Sequence, residues 1–580
     1  MAITGQVFEF VSGVANHLAN LPTAEAVIFD IGIILLVSAV LAFVAKILRQ
    51  PLIPAYVLTG LLIGPLVFGF VRNFELITAF SEIGIAFLLF TAGLEISFRK
   101  IKEANLKKIA LIGILQVLVI FGISFSLYYL LGLSALQTAY IGVIMAFGST
   151  MVDIKLLSDS GELVTLHGRL VLGILLLQDL AAIIAIVFFT TKGFAAAPVM
   201  IAFAKLLGII LFAFILQKFM LNRFFGFAAR SIEFLFLSSL AVLFLFIILA
   251  YMAEISIVIG AFIAGVSLAN SPFKVELESR VSPLRDFFAI LFFVSLGMQI
   301  VFTGISQMKG LLIALLVGAV IVKPIITFIL LRATGYRPKT SFLTSISLAQ
   351  LSEFSLIIGM LGVTLGALSP SVFSTVILAT IITMSATPYF IKHKNALYQF
   401  FRWPVSWLRF FPVKEGLEYD GMNDKEVLLV GAHRMGSSLI KELMDKKERL
   451  LIIDYNPEII NSLIKNKISC IYGDVCSPEI LNKIDMKKLK IVICTVPTYE
   501  ENIHVLTMVK RVNKNAKVVV TGTRISEALS LYEAGADYVI TPKVLAGDEV
   551  ADIIHSLKPD LKKAKQRHLK RLREIHRLLY

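Results

Sequence analysis

Up to about residue 393 the chain is a succession of apolar runs, each close to the length a helix needs to cross a bilayer. No other feature constrains the fold as much. In hydrocarbon every backbone N–H and C=O must find its partner inside the chain, so such runs fold as helices. Thirteen are read, at about 26–46, 52–71, 76–96, 109–131, 135–155, 170–190, 196–217, 232–251, 255–270, 286–304, 310–331, 341–364 and 371–391. Hydrophobic residues make up 57% of the whole, which sets the chain apart from ordinary soluble domains. The N-terminus carries no basic n-region, so no cleaved signal peptide is expected, and residues 1–25 read as an amphipathic lead-in.

Lysine and arginine fall unevenly on the loops. One alternating set holds 18 of them, from Lys46 to Lys339, and the other holds only Arg72, Lys192 and Lys309. The positive-inside rule makes the first set cytoplasmic, with the N-terminus outside and the C-terminal part inside. This also accounts for the formal net charge of +15 without invoking nucleic acid.

Thirteen spans can be divided as six, one linking span, and six, which inverts the second half relative to the first. The fifth span is interrupted by Gly148, Ser149, Thr150 and Asp153, the twelfth by Gln350, Ser352 and Glu353. Seven spans separate the two, so the interruptions occupy matching positions. Backbone unwound at membrane depth is tolerated only beside protein or a watery cavity, which marks both as candidate ion-handling segments. The sixth span holds Gln178 and Asp179 near its middle. An intramembrane carboxylate is costly and usually carries ions or protons. Desolvation favours the protonated form of a carboxyl, so one group can alternate between proton and cation. Asp179 with Gln178 is the candidate site for K⁺ or Na⁺, with further oxygens from Ser149, Thr150, Gln350 and Glu353. Lys323 in the eleventh span needs a partner at that depth, with Asp179 and Glu353 as candidates, and Pro324 loosens the helix beside it. Asp30 and Lys205 read as interfacial, and Glu82 and Glu95 as the two ends of the third span.

Beyond a linker at 393–422 the chain reads as a soluble α/β domain over 423–557, followed by a basic tail, 558–580. KEVLLVGAHRMGSSLIKELMD and LLIID form a strand, a glycine turn, a helix and a second strand ending at Asp454. Gly431, His433, Arg434, Met435 and Gly436 make the turn, where helix-start amides can approach a phosphate, and Asp454 is placed for ribose hydroxyls. His433 stands where a second glycine belongs in a dinucleotide fingerprint. The cofactor is therefore read as a nucleotide, either AMP or ATP, or NAD(H). Cys470, Cys476 and Cys494 match no zinc spacing and read as reduced, buried thiols. The tail lacks interleaved aromatics, so no nucleic-acid partner is expected.

These residues resemble the Kef-type potassium/proton antiporters of the second cation:proton antiporter family. EIGIAFLLFTAGLEI, LLLQDLAAI, FFVSLGMQI and AQLSEFSLI carry the likeness in order along the chain. The resemblance implies a transmembrane antiporter domain, 26–392, of thirteen helices in inverted repeats with crossed, broken helices five and twelve. It implies a homodimer, and it places Gln178-Asp179 and Lys323 at the family's Gln-Asp pair and basic residue. Gly473-Asp474 and GADYVITP resemble the RCK/KTN nucleotide-binding domain, with Asp474 in its site and Arg524 as a phosphate or dimer contact. The expected protein is no enzyme and has no catalytic group. It is expected in the inner (plasma) membrane, exchanging K⁺ for protons by alternating access under nucleotide control, with Na⁺ as the alternative ion. A nucleotide-gated potassium channel is the alternative of another class, and the chain has no TVGYG-like filter. Lys323 would either stabilise the empty site or carry a proton of its own, which decides between electroneutral and electrogenic exchange.

Overall fold

The computed structural model describes residues 23–555, except 72–73, 96–105, 161, 164, 191–195, 229–230, 270, 302–307, 402–417, 420–424, 433, 446–448, 474, 476–479 and 481–483. The readings of most of the lead-in and linker, of His433, Asp474 and Cys476, of the side chains of Glu95 and Arg434, and of the basic tail lie outside the described residues. The chain forms two compact units, one of residues 1–163 with 167–413 and one of residues 164–166 with 414–580.

In the first unit every expected span coincides with a helix or a broken pair. They are Thr23–Ile47, Leu52–Ile63, Phe74–Glu95, Leu106–Leu130, Ala135–Ala146 with Thr150–Asp159, Leu166–Thr190 and Ala196–Leu216. Ile232–Met252, Ile257–Leu268, Lys274–Met298, Lys309–Ala333, Pro338–Ser347 with Glu353–Thr364, and Pro370–Lys392 complete the set. Among the described residues, nine helices are long and apolar enough to cross a membrane, and three shorter apolar helices accompany them. The second span is shorter than its apolar run because Pro65 forces Gly64 into an extended conformation (ψ 178°). The tenth begins at Lys274, earlier than its hydropathy indicates, because a charged first half continues the same helix.

Packing repeats between the halves. The third span lies against spans nine and ten, and the tenth lies against spans three and two. Lipid offers no hydrophobic drive for helix association, so close backbone approach through small residues matters most. A Cβ on Gly93 would stand 2.4 Å from Phe262 O and 3.0 Å from the Cα of Gly265. At the matching contact a Cβ on Gly60 would stand 1.9 Å from Val294 O and 2.9 Å from the Cα of Gly297. The glycines of the third and tenth spans thus let each long helix seat the short helix of the opposite half, the ninth and the second span. Asp30 is buried, two turns from the start of the first helix. Lys205 pairs with Glu254, just past the eighth span, at 2.9 Å.

The second unit is a seven-stranded sheet of β1 (Glu418–Tyr419), β2 (Val427–Val430), β3 (Leu450–Asp454), β4 (Cys470–Tyr472), β5 (Ile491–Cys494), β6 (Lys517–Thr521) and β7 (Tyr538–Ile540). The order is β1-β4-β3-β2-β5-β6-β7, parallel except for β1, which runs antiparallel to β4. β1 lies in the stretch read as linker. Apolar residues on both faces of β2 and β3 explain the unbroken runs VLLV and LLII. Leu428, Val430, Leu451 and Ile453 join one core, while Val427, Leu429, Leu450 and Ile452 join the core on the other face. Cys470 and Cys494 are buried thiols, and burial pushes the Cys494 thiol up to about 12.

Candidate functional site

Serine caps punctuate both broken helices. Ser134 starts the first half of the fifth span with a capping box, and Ser149 starts the second by accepting from Val152 N–H. Ser352 does the same for Phe354 N–H in the twelfth span. The unwound segments are therefore Phe147–Ser149 and Leu348–Ser352. Thr150, Asp153 and Glu353 belong to the first turns that follow, where carboxylates complement the positive helix end.

Each break is satisfied from the span that follows it. Gly148 N–H donates to Gln178 Oε1 at 2.8 Å, and Leu351 N–H donates to Thr383 Oγ1 at 3.3 Å. The carbonyls of both breaks converge on one cation. Lys323 Nζ donates to Phe147 O at 2.6 Å and to Gln350 O at 2.9 Å. Its hydrogen-bond partners are thus backbone oxygens and not Asp179 or Glu353. The ammonium is fully buried because two helix ends supply the negative potential it needs. A five-residue π-turn, Gly318–Val322, brings it there, next to Pro324, which has no N–H to continue the helical ladder.

The remaining polar groups cross-link the breaks. Gln350 Nε2 donates to Asp153 Oδ1 at 3.0 Å and lies 3.4 Å from Ser149 O. Glu353 accepts from Ser149 and from the backbone of Met151, so it joins the two half-helix starts. Ser355 Oγ donates to Ile144 O at 2.8 Å.

Asp179 is held differently. Its Oδ2 accepts from Thr150 Oγ1 at 2.9 Å. Both line a cavity of about 400 Å³, together with Glu353, Thr91 and Met151, and Lys155, Asp159 and Arg285 also border it. Gln178 is fully buried, with its oxygen on Gly148 and its nitrogen on Gln116 Oε1 at 3.0 Å. The structure thus brings Asp179, Thr150 and Glu353 to one cavity. It places Ser149, Gln178, Gln350 and Lys323 in the framework of the breaks. Sequence reasoning missed Gln116, Thr327 and Thr383. The sequence carried no signal beyond the presence of polar residues in apolar runs, since which of them meet is set by the packing of spans four and eleven.

In the second unit Gly431 follows β2 with φ +87°, and its N–H donates to Ile453 O at 2.8 Å. Helix Arg434–Asp445 starts three residues on, its N-terminus at the carboxyl edge of the sheet, where the strand order reverses between β2 and β5. A Cβ on Gly436 would stand 2.0 Å from Gly431 O, so only glycine lets the helix close on the turn. Asp454 Oδ2 accepts from Ala432 N–H at 2.6 Å and its Oδ1 from Asn456 N–H at 2.7 Å. The carboxylate is thereby fixed beside the turn. A tight turn, a helix start and a positioned carboxylate fit a nucleotide's phosphate and ribose. Met435 is half-buried in the first turn of that helix.

The family model for the transmembrane sodium/hydrogen exchanger matches residues 3–392, and that for the TrkA-N domain matches residues 427–542. The chain belongs to the sodium/hydrogen exchanger family, and is a multi-pass membrane cation/proton antiporter with a TrkA-N regulatory domain. Within that class it is of the Kef type. It is 26% identical to the glutathione-regulated potassium-efflux system protein KefC of Escherichia coli (strain K12), over 83% of this chain and 77% of the relative. The KefC of Shigella flexneri matches to the same extent, 26% over 83% and 77%. The sodium proton antiporter MjNhaP1 of Methanocaldococcus jannaschii shares the membrane fold. Its TM-score is 0.51 at 17% identity, over 64% of this chain and 97% of that one.

Proposed function

We propose that the chain exchanges K⁺ for protons, with Asp179 as the group that carries each in turn. The observation that carries this reading is the Asp179–Thr150 pair at 2.9 Å on the wall of the 400 Å³ cavity. A cation entering the cavity meets one carboxylate and one hydroxyl and displaces the proton. The site then closes and opens on the opposite side, where the cation leaves as a proton returns the carboxyl to its neutral form. A single cycling carboxyl gives one-for-one, electroneutral exchange. Lys323 stays bound to its two carbonyls and acts as a fixed counter-charge to the helix ends.

Lys155, Asp159 and Arg285 border the cavity and lie toward the loops that the charge count assigns to the cytoplasm, so this state is inward-open, in an inner membrane with the N-terminus outside. K⁺ is preferred because the potassium-efflux relatives match across both domains. Nucleotide binding at Gly431–Gly436 and Asp454 controls the exchange, and the active unit is a homodimer. The test is proton flux in proteoliposomes driven by K⁺ or by Na⁺, with AMP, ATP or NADH present and absent. K⁺-driven flux that responds to one nucleotide is expected. Na⁺-preferring flux would replace the substrate, and flux with neither ion would overturn the reading.

A further inference from the structure

A closed ring of hydrogen bonds runs behind the break of the fifth span. Gly148 N–H donates to Gln178 Oε1 at 2.8 Å, and Gln178 Nε2 donates to Gln116 Oε1 at 3.0 Å. Gln116 Nε2 donates to Thr327 Oγ1 at 2.6 Å, and Thr327 Oγ1 donates to Lys323 O at 2.8 Å. Lys323 Nζ closes the ring on Phe147 O at 2.6 Å, the other face of the peptide that carries Gly148 N–H. Every bond donates in the same sense around the ring. In a low-dielectric interior such bonds polarise and strengthen one another. Gln116, Gln178, Lys323 and Thr327 are all fully buried, so bulk water does not compete for these bonds.

The ring has a consequence for the ion site. An amide side chain can turn over and exchange its oxygen for its nitrogen at little steric cost. Gln178 cannot do so here, because a turned amide would face Gly148 N–H with NH₂ and Gln116 Oε1 with an oxygen. Gln116 in turn is fixed by Thr327, whose hydroxyl is committed to Lys323 O. The orientation of Gln178 is therefore set from the fourth and eleventh spans. Through the peptide of Phe147 and Gly148 it sets where the next half-helix begins, and with it Thr150, two residues on, which donates to Asp179.

We propose that Gln116 and Thr327 are positioning residues for cation binding: by locking the Gln178 amide they hold the unwound Phe147–Gly148 peptide, and with it Thr150, in register with Asp179. This rests on the reading of Asp179 as the ion site. Neither residue touches the cation, so their loss acts on how well the site is formed and leaves the carrier chemistry in place.

The test is cation-driven proton flux in proteoliposomes for Gln116→Leu, Thr327→Val, Thr327→Ser and the Gln116→Leu/Thr327→Val pair, each normalised to folded protein. Both Gln116→Leu and Thr327→Val are expected to raise the KM for the cation about tenfold, the effect of one buried hydrogen bond, with maximal rate little changed. Thr327→Ser keeps the hydroxyl and restores the wild-type KM. The double variant is no worse than either single one, because both open the same ring. Thr327→Val is nearly isosteric, so it remains informative if Gln116→Leu does not fold. Unchanged KM in Thr327→Val, or additive losses in the double variant, would overturn the proposal while wild-type flux leaves the antiport reading intact. Absence of flux in the wild type would sink the antiport reading, and this inference with it.

Discussion

Replacing Lys323 by methionine tests how the crossing is held together. The side chain keeps its length and loses its donors. Phe147 O and Gln350 O then face apolar atoms, having lost bonds of 2.6 and 2.9 Å. Each buried acceptor left without a donor costs about 1–3 kcal/mol, so the two together cost about 2–6 kcal/mol. Removing a buried ammonium also removes its own desolvation penalty, which offsets part of that cost. The net expectation is a loss of about 2–3 kcal/mol. The assay is equilibrium unfolding in detergent, followed by the loss of helical far-UV circular dichroism. Lys309→Met, at the exposed start of the same span, serves as the control and should stay within about 0.5 kcal/mol of wild type. If Lys323→Met unfolds like the control, Lys323 is not the clamp on the two breaks. Its role would then be limited to charge balance during transport.

Gly297→Ala would place a Cβ 2.0 Å from Val57 O and should cost at least about 3 kcal/mol, seen as lost folded yield, whereas Gly122→Ala, with nothing within 4 Å, should be silent. Burial alone would raise the Glu162 carboxyl, yet the hydrogen bond from His167 and the charge of Lys394 outweigh it and hold it at about 2, below its ordinary 4.5. A depressed carboxyl stabilises the fold above its unfolded value and loses that contribution as pH falls through the folded one. The thermal-stability advantage of wild type over Glu162→Gln should therefore persist at pH 5 and shrink only between about 4.5 and about 2; an advantage already gone at pH 5 would contradict the pairing. Gly436→Ala must push the helix off Gly431 O, and calorimetric titration should show nucleotide affinity reduced about tenfold or more in a folded domain.

Much of this architecture is written in local chemistry. The breaks could be placed because Gly148, Ser149, Thr150 and Asp153, and in the partner span Gln350, Ser352 and Glu353, interrupt apolar runs. The Rossmann turn could be placed because Gly431, Gly436 and Asp454 stand at the intervals a strand, a turn and a helix require. What could not be read was which polar groups meet. Lys323 was expected to face a carboxylate, since a charge at that depth needs an opposite charge. The structure gives it two peptide oxygens as hydrogen-bond partners and Asp153, not Asp179 or Glu353, as its charged neighbour, because two helix ends converge there and a π-turn moves the side chain onto them. No spacing within one segment reveals a partner in another. For the same reason Gln178 read as a cation ligand beside Asp179, although adjacent helical residues diverge by about 100° and its amide turns to Gly148 and Gln116. Gln116 and Thr327 are ordinary residues in sequence and acquire meaning only from the spans that surround them. The short β1 strand escaped notice because two residues carry no periodicity.

Asp179 is proposed to carry both cation and proton. This is tested most directly by K⁺-driven proton flux in proteoliposomes of wild type and Asp179→Asn, with the folded fraction of each measured in parallel. The asparagine keeps the size and the contact with Thr150 but can neither lose a proton nor supply a full negative charge. Flux in Asp179→Asn is expected to fall to the level of empty vesicles while the protein remains folded. Flux in Asp179→Asn comparable to wild type would show that another group carries the proton, and would contradict the account.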